Sequence, residues 1–183
     1  MDSDAAIRPF VFVLARQQHP EARIVEELGI TSGKVYADVG AISQDIHLYE
    51  IKSGRDTLRR LPTQVKHYSA IGRTCTLVCD PHHLEKAVAL LPTWWGVVAL
   101  DEETMSLVVI REAKPNPRLH LKTLVDLLWR DELAGVARRQ GLYRGHSRSS
   151  CAVLSRLLRL RLPEEVLRQE VAAALKRRPR SWR

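Results

Sequence analysis

Residues 35–52 read VYADVGAISQDIHLYEIK, two runs rich in β-branched and aromatic residues on either side of a polar triplet. Val35 to Ile42 and Ile46 to Lys52 have strand composition, and Ser43-Gln44-Asp45 supplies turn chemistry, so the stretch predicts a β-hairpin. A turn centred on Gln44 leaves Asp38 and Glu50 equally far from that centre. The two carboxylates then face each other across the strands with their side chains on one face. Lys52, two residues beyond Glu50, joins the same face. Two carboxylates and an ammonium therefore converge.

Ile7, Phe10, Val11 and Leu14 recur at helical spacing, and a second short helix is expected over about Glu21 to Leu28. Downstream of the hairpin, Pro62 stands where a helix starts and Gly72 where it ends, which frames a helix over Pro62 to Ile71. Cys75 to Cys79 is a nearly continuous apolar run, as a strand buried on both faces requires. Leu84, Val88 and Leu91 form a further helical stripe. Trp94 to Leu100 and Met105 to Ile110 read as strands about a turn at Asp101-Glu102-Glu103. This alternation predicts an α/β fold with a mixed sheet. After Pro115-Asn116-Pro117 the texture changes to Leu and Arg at helical spacing, with helices expected over Leu121 to Trp129, Asp131 to Gln140, Cys151 to Leu160 and Pro163 to Lys176. The expected organisation is a core of residues 1–113 and a basic helical module of residues 114–183, with a frayed tail from Lys176 to Arg183.

Charge follows the same division. Residues 1–113 hold 12 Lys/Arg against 15 Asp/Glu, a balance of −3, whereas residues 114–183 hold 17 against 6, a balance of +11. Such asymmetry points to a polyanionic partner, with a solvated basic helix face as the plainer reading. Apolar runs fall well short of bilayer length, so no membrane partner is expected. The apolar segment Phe10 to Ala15 follows Asp2 and Asp4 and meets Arg16 too early for a signal peptide. Three cysteines, Cys75, Cys79 and Cys151, give an odd count without a CxxC pair, which suits packing in a reducing, cytoplasmic setting.

Hard oxygen ligands such as Asp38 and Glu50 suit Mg²⁺, with Mn²⁺ as its substitute, and a cation between them can lower the pKa of a bound water. A neighbouring Lys52 can orient that water; the same three residues also suit an ordinary cross-strand ion pair. Gln64 and Tyr68, four apart, point from one face of the following helix. The order Asp38, then Glu50-Ile51-Lys52, then Gln64-Val65-Lys66-His67-Tyr68 resembles the PD-(D/E)XK phosphodiesterase superfamily, particularly its RecB-like branch with a QxxxY helix. Residues 36–68 also resemble a family of small, largely uncharacterised bacterial and phage proteins in that superfamily. The likeness spans roughly residues 20–112.

That resemblance implies a restriction-endonuclease-like core and hydrolysis of DNA by a metal-activated water. It makes Asp38, Glu50, Lys52, Gln64 and Tyr68 the catalytic set. Asp38 and Glu50 would ligate the metal, Ile51 would add its backbone carbonyl and Lys52 would serve the attacking water. Gln64 and Tyr68 would position DNA or the neighbouring charged groups. Ala37 stands where the superfamily's proline is usual. Enzymes of the RecB-like branch often add a glutamate from an N-terminal helix, and of Glu26 and Glu27 the helical stripe of Ile24, Val25 and Leu28 favours Glu27.

His82-His83 read as a helix start, and Trp94-Trp95 as core at the head of a strand. The stretch Tyr143-Arg144-Gly145-His146-Ser147-Arg148, between two expected helices, resembles the basic loop of SAP-like helix-extended-helix modules. It makes Arg144 and Arg148, with Arg138 and Arg139, the expected DNA contacts. The expectation is an Mg²⁺-dependent deoxyribonuclease acting as a homodimer or within a larger DNA-processing complex. Its rival is a catalytically inactive DNA-binding protein that keeps the nuclease fold, or a regulatory subunit of a larger nucleic-acid-processing assembly.

Overall fold

The computed structural model describes residues 3–30, 33, 35–101, 103–104 and 106–179. Among these, six strands build one mixed sheet and seven α-helices pack around it. Strands β1 (Arg23–Ile30), β2 (Val35–Ile42), β3 (Ile46–Lys52), β4 (Thr74–Cys79), β5 (Gly96–Asp101) and β6 (Ser106–Arg111) lie side by side in chain order. The pairs β1–β2, β2–β3 and β5–β6 are antiparallel, and β3–β4 and β4–β5 are parallel. Helices α2 (Leu61–Ile71) and α3 (Leu84–Val88) supply the crossovers that parallel neighbours require.

The hairpin forms with the expected turn. Ile42 pairs with Ile46, Gly40 with Leu48 and Val39 with Tyr49, and one further step of that register sets Asp38 across from Glu50. All seven residues of β3 are buried, so its charged members are carried into the interior by the sheet itself. Gly40 is fitted to this packing, because a Cβ there would stand 3.0 Å from Leu28 Cδ2.

One expected helix is instead a strand. Residues 21–28 have the Glu, Ala and Leu content of a helix, yet Arg23–Ile30 pairs with β2 from Arg23↔Ile42 to Ile30↔Val35. Pairing with the hairpin's open edge overrides local propensity here, and Ile24 and Val25 are suited to it. Glu27 adopts φ 50°, a left-handed backbone that a non-glycine residue holds only where its surroundings impose it. The expected helix around Leu84 to Leu91 is shorter, ending at Val88. Met105, Glu102 and Arg180–Arg183, to which a strand start, a turn and a frayed tail were assigned, lie outside the described residues.

Helix α1 (Asp4–Gln18) covers one face of the sheet, burying Ile7, Val11 and Ala15 against Val39, Tyr49, Ile51 and Val98. The other face carries α2 and the helices α4 (Leu121–Val125), α5 (Arg130–Arg139), α6 (Cys151–Arg161) and α7 (Glu164–Arg177). Leu124, Leu133, Leu154 and Leu175 from these helices share one continuous core with Leu48, Leu61, Tyr68 and Leu77. Polar contacts reinforce the join: Arg168 Nη1 donates to Asp45 at 2.7 and 2.9 Å, and Asn116 Nδ2 donates to the carbonyls of Ser69 and Gly72. No helix among the described residues is long and apolar enough to cross a membrane.

Candidate functional site

The hairpin and α2 bring Asp38, Glu50, Lys52, Gln64 and Tyr68 together. Glu50 is fully buried and Lys52 is 2 % exposed. Glu50 Oε1 accepts from Lys52 Nζ and from Gln64 Nε2, while Oε2 accepts from the Tyr68 hydroxyl. Three donors therefore converge on one carboxylate. The Tyr68 hydroxyl also lies 2.9 Å from the Tyr36 carbonyl, so a single proton serves two acceptors. Burial, then the charges of Glu50 and Asp38, hold the phenol's pKa well above its usual range.

Asp38 sits at the edge of this cluster. Its Oδ2 accepts the Ile51 N–H at 2.7 Å, and the Ile51 carbonyl lies 3.3 Å from Lys52 Nζ. Burial, and then repulsion from Glu50, push the Asp38 carboxyl up to about 7, against the opposing pull of the Ile51 N–H and Lys52. Asp38, Glu50, Ile51, Lys52 and Gln64 line a cleft of about 700 Å³. Its other walls hold residues that sequence spacing did not single out: Asp4 and Arg8 of α1, and Asp56, Arg59 and Arg60 ahead of α2. Asp4 and Arg8, four apart, form an ion pair at 2.5 Å, a spacing legible in the sequence but common on any helix.

Glu27 lines this cleft from β1, not from a helix. Glu26 instead approaches Arg8 at 3.6 Å with half its side chain exposed. Asp38 and Glu50 are the two carboxylates on which the expected Mg²⁺ site would draw. Both Glu50 oxygens are already engaged by protein donors, and no group of three His, Cys, Asp or Glu side chains among the described residues could hold a metal ion. Elsewhere, His82 and His83 occupy a short 3₁₀ turn capped by Asp80. Trp95 is buried, with its indole N–H on Ser69 Oγ.

The four expected DNA contacts separate into two pairs. Arg139 is tied to Glu170, with Nε to Oε2 at 3.1 Å, and the Arg138 guanidinium lies over the Tyr143 ring at 4.2 Å. Arg144 and Arg148, in the loop between α5 and α6, are exposed and have no ion-pair partner among the described residues. Arg156, on α6, is likewise exposed without one, and charge counting alone did not distinguish it from its neighbours.

Comparison with known proteins gives a different family from the one the motif order suggested. A family model described as "Bacteriophage P4 protein cII" matches residues 11–182. "Protein cII" of Enterobacteria phage P4 is 24 % identical over 124 residues, covering 67 % of this chain and 47 % of the phage protein, so the match spans about half that relative's length. No solved structure matches the chain. The family match overturns the expected membership in the PD-(D/E)XK superfamily, and with it the expected hydrolase chemistry and deoxyribonuclease activity. An ordinary buried ion-pair cluster of Glu50, Lys52, Gln64 and Tyr68 follows the same residue order. By the extent of the match, nearly end to end, the chain belongs to the bacteriophage P4 protein cII family.

Proposed function

We propose that this chain is a non-catalytic, regulatory DNA-binding protein, whose basic helical segment contacts backbone phosphates while the buried polar cluster organises the fold. The observation that carries this reading is the charge of residues 114–183, +11, together with Arg144, Arg148 and Arg156, exposed and without an ion-pair partner among the described residues. Cations that neutralise phosphates release condensed counterions, so they bind duplex DNA regardless of sequence. Residues 1–113, at −3, supply little of that attraction. The cluster of Glu50, Lys52, Gln64 and Tyr68 supports the non-catalytic half of the reading, because its donors and acceptors are turned on one another.

Fluorescence anisotropy of a labelled duplex, titrated with the full chain at several KCl concentrations, tests the reading. If about five cations reach phosphates, the log–log salt slope is about −4.5. The paired substitution Arg144→Glu and Arg148→Glu removes two of them and flattens the slope by about 1.8. Absence of salt-dependent binding by the folded wild-type chain refutes the proposal. An unchanged slope in the double variant removes the loop from the interface.

A further inference from the structure

Helix α6 is amphipathic in an unusual way. Leu154 and Leu158 face the core and are fully buried, and Ser155 beside them donates to Asp126 Oδ1 at 2.7 Å. At 3.6 residues per turn, Ala152, Val153, Arg156 and Leu160 share the opposite arc, about 100° wide. All four are exposed, Val153 by 47 % and Leu160 by 71 %. Arg159 lies at the edge of the arc, and its Nε is buried without a partner among the described residues. A solvated helix face is ordinarily charged and polar, whereas this one sets three apolar side chains around a guanidinium with no ion-pair partner among the described residues.

We infer that α6 is the element that enters the major groove of duplex DNA and reads base edges there. This rests on the DNA-binding reading above and adds sequence discrimination to it. Charge complementarity selects the occupant: Arg156 and Arg161 on the helix, and Arg144 and Arg148 in the loop leading into it, are exposed cations along one short stretch of chain. The dimensions agree, since a helix with its side chains is about 10–12 Å across and the major groove is about 12 Å wide. Within the groove, Arg156 has the bidentate fork that matches guanine O6 and N7, and Ala152 and Val153 offer methyl groups to a thymine methyl. Arg144 and Arg148 are placed by the chain to hold the flanking phosphates. A second copy of the chain fits this face less well. Two-fold packing of α6 on itself would bring Arg156 toward its own symmetry mate, with no acid on the exposed arc to offset the repulsion.

The test uses the full chain and a library of randomised duplexes, selected by repeated binding and sequenced. Enrichment of a short motif containing a G·C pair, with guanine N7 protected from dimethyl sulfate, is the expected result. Arg156→Lys keeps the charge and removes the fork. It should leave the salt slope unchanged while discrimination between the selected and a scrambled duplex falls about ten- to a hundredfold, and the N7 protection disappears. Because Arg156 is exposed, circular dichroism should show an unaltered fold. Salt-dependent binding without any enriched motif overturns this inference and leaves the DNA-binding reading intact, whereas no binding at all overturns both. Retention of motif and protection in Arg156→Lys overturns the role of α6. A wild-type dimer that Leu160→Glu dissociates in sedimentation does the same, by giving the face to a second copy.

Discussion

Lys52→Met is the perturbation that most directly separates a structural cluster from any other kind. The Lys52 side chain is 3 % exposed and pairs with a Glu50 side chain that is fully buried. Methionine fills much the same space and removes the positive charge, leaving Glu50 buried with only the neutral donors Gln64 and Tyr68. Removing one partner of a buried pair typically costs about 3–5 kcal/mol, because the remaining charge is left uncompensated. Gln64 and Tyr68 still hydrogen-bond the carboxylate, so a loss near 3 kcal/mol is expected here. Replacing both partners, Glu50→Gln with Lys52→Met, removes the charge as well. The double variant should therefore be more stable than Lys52→Met alone, with a coupling of about 1–3 kcal/mol. Urea denaturation followed by circular dichroism measures all four corners of the cycle, and a constant slope with denaturant would show that the unfolded states are comparable. DNA affinity of the folded Lys52→Met protein should be unchanged. A stability loss below about 1 kcal/mol, or strict additivity in the cycle, would refute the reasoning.

Two further perturbations follow from the same packing. Asp38, pushed up to about 7 by burial and Glu50, binds its proton more tightly in the folded chain than at its ordinary 3.8. Its ionisation therefore costs stability, which is kept below about pH 4 and declines as pH rises toward 7. Asp38→Asn should flatten that decline and stabilise the protein at pH 8 by on the order of 2 kcal/mol; equal wild-type and variant melting profiles across pH 4–8 would remove the effect. At the end of α2, a Cβ on Gly72 would stand 2.6 Å from Cys75 Sγ and 3.1 Å from the Thr74 carbonyl, so Gly72→Ala should cost about 1–3 kcal/mol in urea denaturation, with a loss under about 0.5 kcal/mol contradicting it.

The hairpin was legible because three independent local signals agreed: β-branched composition on both sides, a polar turn, and charges spaced by two. Strands Val35–Ile42 and Ile46–Lys52 accordingly have the expected bounds, and α2 starts one residue ahead of its proline marker and ends before its glycine. At β1 the local signal pointed the wrong way. Its glutamates favour a helix in isolation, and only the open edge of β2 makes the extended form the better one. The cluster's membership was also readable, because Gln64 and Tyr68 share a helix face and Glu50 and Lys52 share a strand face. Its chemistry was not. Convergence of three donors on Glu50 depends on how closely α2 approaches β3, a tertiary distance that spacing does not encode. Likewise, Arg139 looks as free as Arg144 in the sequence, and is distinguished only by Glu170 arriving 31 residues later in the chain. The order Asp, Glu-x-Lys, Gln-x-x-x-Tyr is thus compatible with more than one use of the same polar groups, and the motif alone led to the wrong family.

The buried cluster and the basic helices are mechanically connected. Glu50 draws Gln64 and Tyr68 of α2 onto the hairpin, and the Ile51 N–H on Asp38 fixes β2 against β3 beneath them. The far end of α2 then holds the start of the helical segment: Asn116 bonds the carbonyls of Ser69 and Gly72, and the His120 N–H donates to the Ala70 carbonyl at 2.9 Å. From there α4 packs against α2, and α6 packs against α4, with Ser155 of α6 bonded to Asp126 at the end of α4. A run of directed hydrogen bonds therefore leads from Glu50 to the helix that carries Arg156. Apolar packing alone tolerates sliding of one helix over another, whereas bonds to named carbonyls admit one arrangement. The proposed contact with DNA phosphates would draw on such fixed placement, because its cations must match the spacing of a stiff duplex. In this chain that placement begins at a carboxylate buried in the central part of the sheet, and the cost of burying it is offset by Lys52 on the same strand and by Gln64 and Tyr68, the two donors that hold α2.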